Sequence, residues 1–192
     1  MTIAQGGKMS NLPTTLILFA HPEPRSSVAN RALLRIAKTL DNVTFRDLYA
    51  HYPDFFINVQ REQQLLRTHD VIVFQFPIHT YSCPALMKEW IDRVLNLQFA
   101  GSIGANELSG KRFRLVVTAG AAENSYRSDG LVGFSLHEIL LPFRIMAKAC
   151  GMEWVEPMIV YRARRQEESE LQQLALQYAE WLSQPVTERS DA

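Results

Sequence analysis

Apolar positions along this chain follow two alternating spacings, and the contrast is sharpest between Val71 and Leu95. Val71, Ile72, Val73, Phe74 and Phe76 form an almost uninterrupted β-branched and aromatic run, the pattern of a central strand covered on both faces. Pro77 ends it. From Met87 the apolar positions move to Met87, Trp90, Ile91, Val94 and Leu95, while Lys88/Asp92 and Glu89/Arg93 form i,i+4 charge pairs on the opposite face. That spacing predicts an amphipathic helix with Pro84 in its first turn. The same alternation runs through the chain. Strands are predicted at Thr15 to Ala20, Val43 to Asp47, Phe113 to Thr118 and Trp154 to Val160. Helices are predicted at Ser27 to Leu40, Val59 to Thr68, Ser135 to Cys150 and Glu167 to Leu182, with Pro142 kinking or restarting the third of these. Gly101, Gly104 and Gly110 mark a loop. Five strands interleaved with helices predict an α/β, doubly wound, parallel sheet in the order 2-1-3-4-5.

At 192 residues and 47% apolar content, a single domain with its own core is expected, spanning 14–184 between a flexible extension at 1–13 and a flexible tail at 185–192. Basic and acidic residues balance to a formal net charge of zero, so there is no overall field to attract nucleic acid. Residues 1–13 lack the apolar core of a signal peptide, and no run approaches a membrane span. Cys83 and Cys150 sit in no CxxC pair, and the five histidines are scattered without metal-ligand spacing, so no metal is expected. A reducing cytoplasm fits this usage.

In a sheet of this order the loops after strands one, three and four converge at the switch point, where ligands bind. The first loop reads HPEPRSSVAN from His21 to Asn30. Hydroxyls and free amides at a helix start suit a phosphate, although Ser26 or Ser27 equally reads as a plain N-cap and His21 as a strand-end hydrogen-bonding residue. The loop after strand three runs Pro77, Ile78, His79, Thr80, Tyr81, Ser82. The loop after strand four, Thr118 to Tyr126, carries small residues that let backbone approach a flat ligand or simply form a turn. Competing chemistries fall away: there is no GxGxxG, Gly110-Lys111 lacks the upstream glycine of a Walker A loop, and Gly133 to His137 lacks the last glycine of a nucleophile elbow. Cys83, just before a helix, reads as an electrophile-sensing thiol or as an ordinary small residue. Arg162, Arg164 and Arg165 read as a solvated junction or as a contact for a cofactor phosphate or an acidic partner.

AHPEPRSSVAN, FPIHTYSCPALMKEWIDRVL and TAGAAENSY together resemble the phosphate loop, strand-three loop and strand-four loop of the FMN-dependent NAD(P)H:quinone oxidoreductases of flavodoxin-like fold. More narrowly, DLYAHYPDFFI, TYSCPALMKEWIDRVL and YRARRQ resemble the small ancillary proteins of bacterial glutathione-gated potassium-efflux systems. The resemblance implies an FMN site at His21, Ser27, Val28, Ala29 and Asn30 for the phosphate and ribityl end. Pro77, Ile78, His79, Thr80, Thr118, Ala119, Gly120 and Ala121 would line the isoalloxazine. Tyr126 matches a catalytic tyrosine that hydrogen-bonds the quinone, with NADH or NADPH as hydride donor. Ala119 stands at the family's second threonine, Ala121 at its second glycine, and no histidine follows Tyr126 at the family spacing.

The resemblance also implies a regulatory ancillary subunit on the cytoplasmic side of the inner membrane, attached through a potassium/proton antiporter and protecting against electrophiles. The alternative is a free-standing cytosolic quinone reductase. A homodimer is expected, with Phe99, Tyr126 and Phe134 as boundary candidates, the first and last of which also read as core residues. Tyr49, Tyr52, Phe55 and Phe56, between Asp47 and Ile57, are candidates for antiporter contact or for a loop folded on its own core.

Overall fold

The computed structural model describes residues 12–100 and 107–185. The expected flexible segments at 1–13 and 185–192, apart from residues 12, 13 and 185, and the loop glycines Gly101 and Gly104 lie outside them. Strands β1 (Thr15–Phe19), β2 (Val43–Asp47), β3 (Val71–Pro77), β4 (Arg112–Thr118) and β5 (Glu153–Val160) form one parallel sheet in the order β2-β1-β3-β4-β5, as the sequence pattern predicts. Helices α1 (Val28–Ala37), α2 (Leu48–His51), α3 (Val59–Arg67), α4 (Ala85–Val94), α5 (Leu97–Ala100), α6 (Leu136–Ile139), α7 (Leu141–Ala149) and α8 (Glu168–Leu182) connect and cover the strands. The single helix predicted from Ser135 to Cys150 is two helices. A capping box of Ser135 and Glu138 starts α6, and Pro142, which cannot donate inside a helix, sits in the first turn of α7. Pro84 is the N-cap of α4 rather than a residue of its first turn.

Strand alternation divides the core. Leu16, Leu18, Ile72, Phe74, Phe76, Phe113, Leu115 and Val117 face α3, α4 and α7, where Leu66, Trp90, Val94 and Phe143 meet them. Trp90 is fully buried and stands edge-on to Phe74, with ring centroids 5.5 Å apart. The opposite face carries Ile17, Phe19, Val71, Val73 and Val116 against Leu33 of α1 and Leu171, Ala175 and Tyr178 of α8. The register pairs Phe19 with Gln75, Pro77 with Thr118, and Thr118 with Val160, so β3, β4 and β5 finish at one level and β1 ends short of it, opposite Gln75.

A buried charge cluster anchors the connection after β2. Glu62 of α3, fully buried, accepts hydrogen bonds from Arg46 Nε (2.6 Å), Tyr52 Oη (2.6 Å) and Trp90 Nε1 (2.9 Å), while Arg46 Nη2 donates to Tyr52 Oη at 2.9 Å. Tyr52 therefore points inward and Tyr49 packs on the core, whereas Phe55 and Phe56 face solvent, Phe56 at 78% exposure. The four aromatics do not form one surface; only the last two remain outside. Phe99, a boundary candidate from the sequence, packs in the core.

Candidate functional site

The chain leaves β1 through buried His21, makes a 3-10 turn at Pro24–Ser26, and enters α1 at Ser27. His21 Nδ1 accepts the Glu23 backbone N–H at 3.0 Å, which puts the ring hydrogen on Nε2. Burial, then the neighbouring His79, lowers the His21 pKa, so the ring is neutral at pH 7 and its Nε2–H is a donor. Ser27 occupies the N-cap position, yet its side chain caps nothing; instead Oγ accepts from Asn30 Nδ2 at 3.0 Å. The first amides of this ten-residue helix have no intrahelical acceptor and carry the positive end of its dipole.

The loop after β3 meets this one. His79 lies edge-on to His21, with ring centroids 6.4 Å apart. Ile78 N–H donates to the Thr118 carbonyl at 2.8 Å, tying the β3 and β4 ends together. His79 and Ser82 exchange two backbone hydrogen bonds of 2.9 Å, closing a two-residue turn that holds Thr80 (φ 43°) and Tyr81 (φ 62°) in the left-handed region. Neither is glycine, so the turn stores strain of about 1–2 kcal/mol per residue and projects Tyr81 outward beside the crevice. Cys83 follows, buried, with its thiol pKa pushed up by that burial; the electrophile-sensing reading lacks the thiolate it needs.

The loop after β4 is held by the β5–α8 connection: Ala119 N–H donates to Val160 O, Ala163 N–H to Ala119 O, and Arg162 N–H to Ala121 O. Thr118 and Ala119 are buried, but a Cβ added at Gly120 would meet nothing within 4 Å, so this position opens onto space. Farther on, a Cβ at Gly130 would come 2.3 Å from the Asn124 carbonyl, so only glycine fits where the loop folds back. Tyr126 is buried with Ala119 and Leu136, its ring 5.8 Å from that of Tyr161. Burial, then the neighbouring Tyr81, raises its pKa and keeps the phenol protonated. A cleft of about 730 Å³ lies between Gly120, Ala121, Ser125 and the three arginines Arg162, Arg164 and Arg165.

Of the residues predicted from sequence, Ser27, Asn30 and Thr118 are joined by hydrogen bonds, and His21 stands beside His79. Ala29 and Ala119 are buried and present backbone only, and Val28 is exposed. Pro77, Ile78 and Ala121 are half-buried, and His79, Thr80 and Gly120 are exposed. Hydroxyl, imidazole and helix-start amide donors at one end, with Glu23 and Asp47 near enough for their charge to act on His21, and partly apolar residues at the other suit a phosphate carrying a planar ring. The sequence did not reveal Tyr81 as a neighbour of Tyr126, nor that the charge of Arg164, already a candidate for a cofactor phosphate, reaches His21 and lowers its pKa. The arginine run was visible; its proximity to His21 was not.

Among the described residues no helix is long and apolar enough to cross a membrane, and no cluster of three or more His, Cys, Asp or Glu side chains is arranged to hold a metal. A family model described as flavodoxin-like fold matches residues 13–182. The glutathione-regulated potassium-efflux system ancillary protein KefG of Cronobacter sakazakii is 55% identical over 179 residues, covering 93% of this chain and 97% of that protein. Among solved structures, general stress protein 14 of Treponema denticola, in complex with FMN, is 37% identical with a TM-score of 0.82, covering 88% of this chain and 98% of that one. An NADPH-quinone reductase from P. pentosaceus is 30% identical with a TM-score of 0.81, covering 91% and 99%. The chain belongs to the flavodoxin-like fold family and, within it, to the KefG ancillary proteins of glutathione-regulated potassium-efflux systems.

Proposed function

We propose that this chain holds FMN in the crevice between the loops after β1, β3 and β4, and acts as an ancillary subunit of a glutathione-gated potassium/proton antiporter. The observation that carries the reading is the 55% identity to KefG across 93% of the chain. The hydrogen bonds that join Ser27 and Thr118 through Asn30, with His21 beside His79, support the cofactor. His21 Nε2–H, the Ser27 hydroxyl and the α1 amides would hold the phosphate end, with Pro77, Ile78, His79, Thr80, Gly120 and Ala121 along the ring.

FMN, once bound, supplies two-electron chemistry between NADH or NADPH and a quinone. The protein's own part is binding, orientation and protons. Ile78 and Ala121, packed around Ala119 and Tyr126, exclude water from the inner wall. Tyr126, held protonated, offers its Oη–H to a quinone carbonyl oxygen and stabilises the negative charge that develops there.

The same reading includes a homodimer. Leu131 and Phe134 stand exposed on the loop that follows Tyr126, and Leu141 and Ile145 on the helix beyond it; a second copy would cover them. It also includes attachment to the cytoplasmic face of the inner membrane through the antiporter, with exposed Phe55 and Phe56 as contact residues. Deleting the protein should reduce electrophile-triggered potassium efflux, and light scattering should report a dimer at micromolar concentration. Unchanged efflux together with loss of cytosolic quinone reduction would favour the second reading, a free-standing quinone reductase, which the likeness to the NADPH-quinone reductase structure supports.

A further inference from the structure

Behind the crevice a chain of buried polar side chains runs along the face of the sheet that α1 and α8 cover. The Tyr178 hydroxyl of α8 donates to Gln75 Oε1 at 3.3 Å, and Gln75 Nε2 of β3 donates to Asn30 Oδ1 at 3.1 Å. Asn30 Nδ2 of α1 then donates to two hydroxyls, Ser27 Oγ and Thr118 Oγ1, each at 3.0 Å. Tyr178, Gln75 and Asn30 are at most 1% exposed. Asn30, grouped with the cofactor contacts on sequence, spends its side chain inside the protein.

The direction of this chain has a cause. Arg114 of β4 lies close enough to Tyr178 for its charge to act on the phenol, and it too is partly desolvated. Burial raises the Tyr178 pKa far beyond the ordinary phenol range, so the proton stays on. A protonated phenol beside a cation turns its oxygen toward the charge and its hydrogen away, here toward Gln75 Oε1. That leaves Gln75 Nε2 for Asn30 Oδ1, and both hydrogens of Asn30 Nδ2 for the two hydroxyls. Each hydroxyl has one hydrogen to give. With an amide already donating to Ser27 Oγ and to Thr118 Oγ1, both are turned to offer O–H away from Asn30, and Ser27 Oγ accepts no capping bond from the amides of α1.

We propose that Gln75 and Tyr178 are positioning residues that fix the Asn30 amide so that Ser27 and Thr118 are presented as hydrogen-bond donors to the phosphate and ribityl oxygens of FMN. This rests on the cofactor reading above and adds to it residues that touch no ligand. The chain is a built-in polarity: reverse the Asn30 amide, and both hydroxyls would donate inward and turn lone pairs toward an anion.

The test is Gln75→Glu, with FMN binding to the flavin-free protein read by quenching of flavin fluorescence. At about pH 8.5 the introduced carboxylate only accepts, so Asn30 must reverse to donate to it. FMN affinity should then fall about tenfold or more relative to wild type, the scale of one lost charge-assisted hydrogen bond. Protonated, the same group donates to Asn30 and accepts from Tyr178, as glutamine does. Affinity relative to wild type should therefore return on acidification to about pH 5.5, since a buried carboxyl protonates above its usual range. Tyr178 stays protonated and Arg114 stays charged across that window, and comparison with wild type at each pH cancels titration of the FMN phosphate and of His21. Tyr178→Phe, which leaves the amides free to reverse, should weaken FMN several-fold; it decides the matter should the glutamate variant not fold. Wild-type affinity in these variants, or a loss in Gln75→Glu that is the same at both pH values, would overturn the proposal while leaving FMN binding intact. Failure of wild type to bind FMN would overturn the cofactor reading and this inference with it.

Discussion

Replacing Glu62 with glutamine changes one atom and should cost this protein a large share of its stability. The carboxylate is fully buried and accepts from Arg46, Tyr52 and Trp90. An amide in its place points an N–H₂ either at the Trp90 N–H or at the Arg46 guanidinium, donor against donor, and leaves the buried Arg46 charge unbalanced. Breaking a buried pair from one side costs about 3–5 kcal/mol, and the retained oxygen of Glu62→Gln places this case at the lower end, about 3 kcal/mol. For a chain of this size that is a fall in melting temperature of roughly 6–12 °C. The pairing can be isolated. In Arg46→Met with Glu62→Gln, the amide oxygen accepts from Trp90 and its N–H₂ donates to Tyr52 Oη, which Arg46 no longer occupies. The double variant should therefore recover much of the loss, and urea unfolding of the four proteins gives the coupling directly. A single-variant loss below about 1 kcal/mol, or strict additivity of the two changes, would refute the claim that this cluster is a dry, mutually dependent unit.

Relieving the left-handed turn with Thr80→Asn and Tyr81→Gly should raise stability by about 1–2 kcal/mol in thermal unfolding while lowering quinone turnover, because the ring that the turn holds beside Tyr126 is lost. Gly120→Phe, built into open space, should weaken FMN binding measured by fluorescence quenching and leave the melting temperature of the flavin-free protein within a few degrees, about 0.5 kcal/mol. His21 gives the flavin-free protein a pH dependence. Its folded pKa lies below the unfolded 6.5, so the unfolded chain takes up the proton first, and stability present above pH 6.5 is lost as pH falls through the folded value. The slope is at most about 1.4 kcal/mol per pH unit, and His21→Gln should flatten it in urea titrations.

The sheet was legible because its central strands β1, β3 and β4 are mostly buried apolar runs and the interleaved helices demand parallel strands; the order 2-1-3-4-5 was the simplest choice for such a sheet. Pro142 foretold a restart because it has no N–H to continue a helix, and α7 begins there. Short elements escaped the pattern: α2 and the 3-10 turn at Pro24–Ser26 are too brief for a periodicity. At the site, sequence could name Ser27 but not tell a capping hydroxyl from a ligand donor, since the deciding partner, Asn30, is held by Thr118, 88 residues away. The left-handed turn was equally hidden, because Thr80 and Tyr81 are not the glycine or asparagine that announce one. The connection from Asp47 to Ile57 looked uniformly aromatic; only the burial of Arg46 and Glu62 explains why Tyr52 turns in while Phe56 stays out.

Flavin occupancy is the property that tests this crevice most directly. Purified protein, denatured and spun free of polypeptide, should release FMN in amounts equimolar with the chain. Flavin-free protein given FMN at about a hundred times its dissociation constant should gain about 2.7 kcal/mol, a rise in melting temperature of roughly 5–10 °C. No released flavin and an unchanged melting temperature in excess FMN would contradict the assignment of the His21, Ser27 and Thr118 crevice as a flavin site.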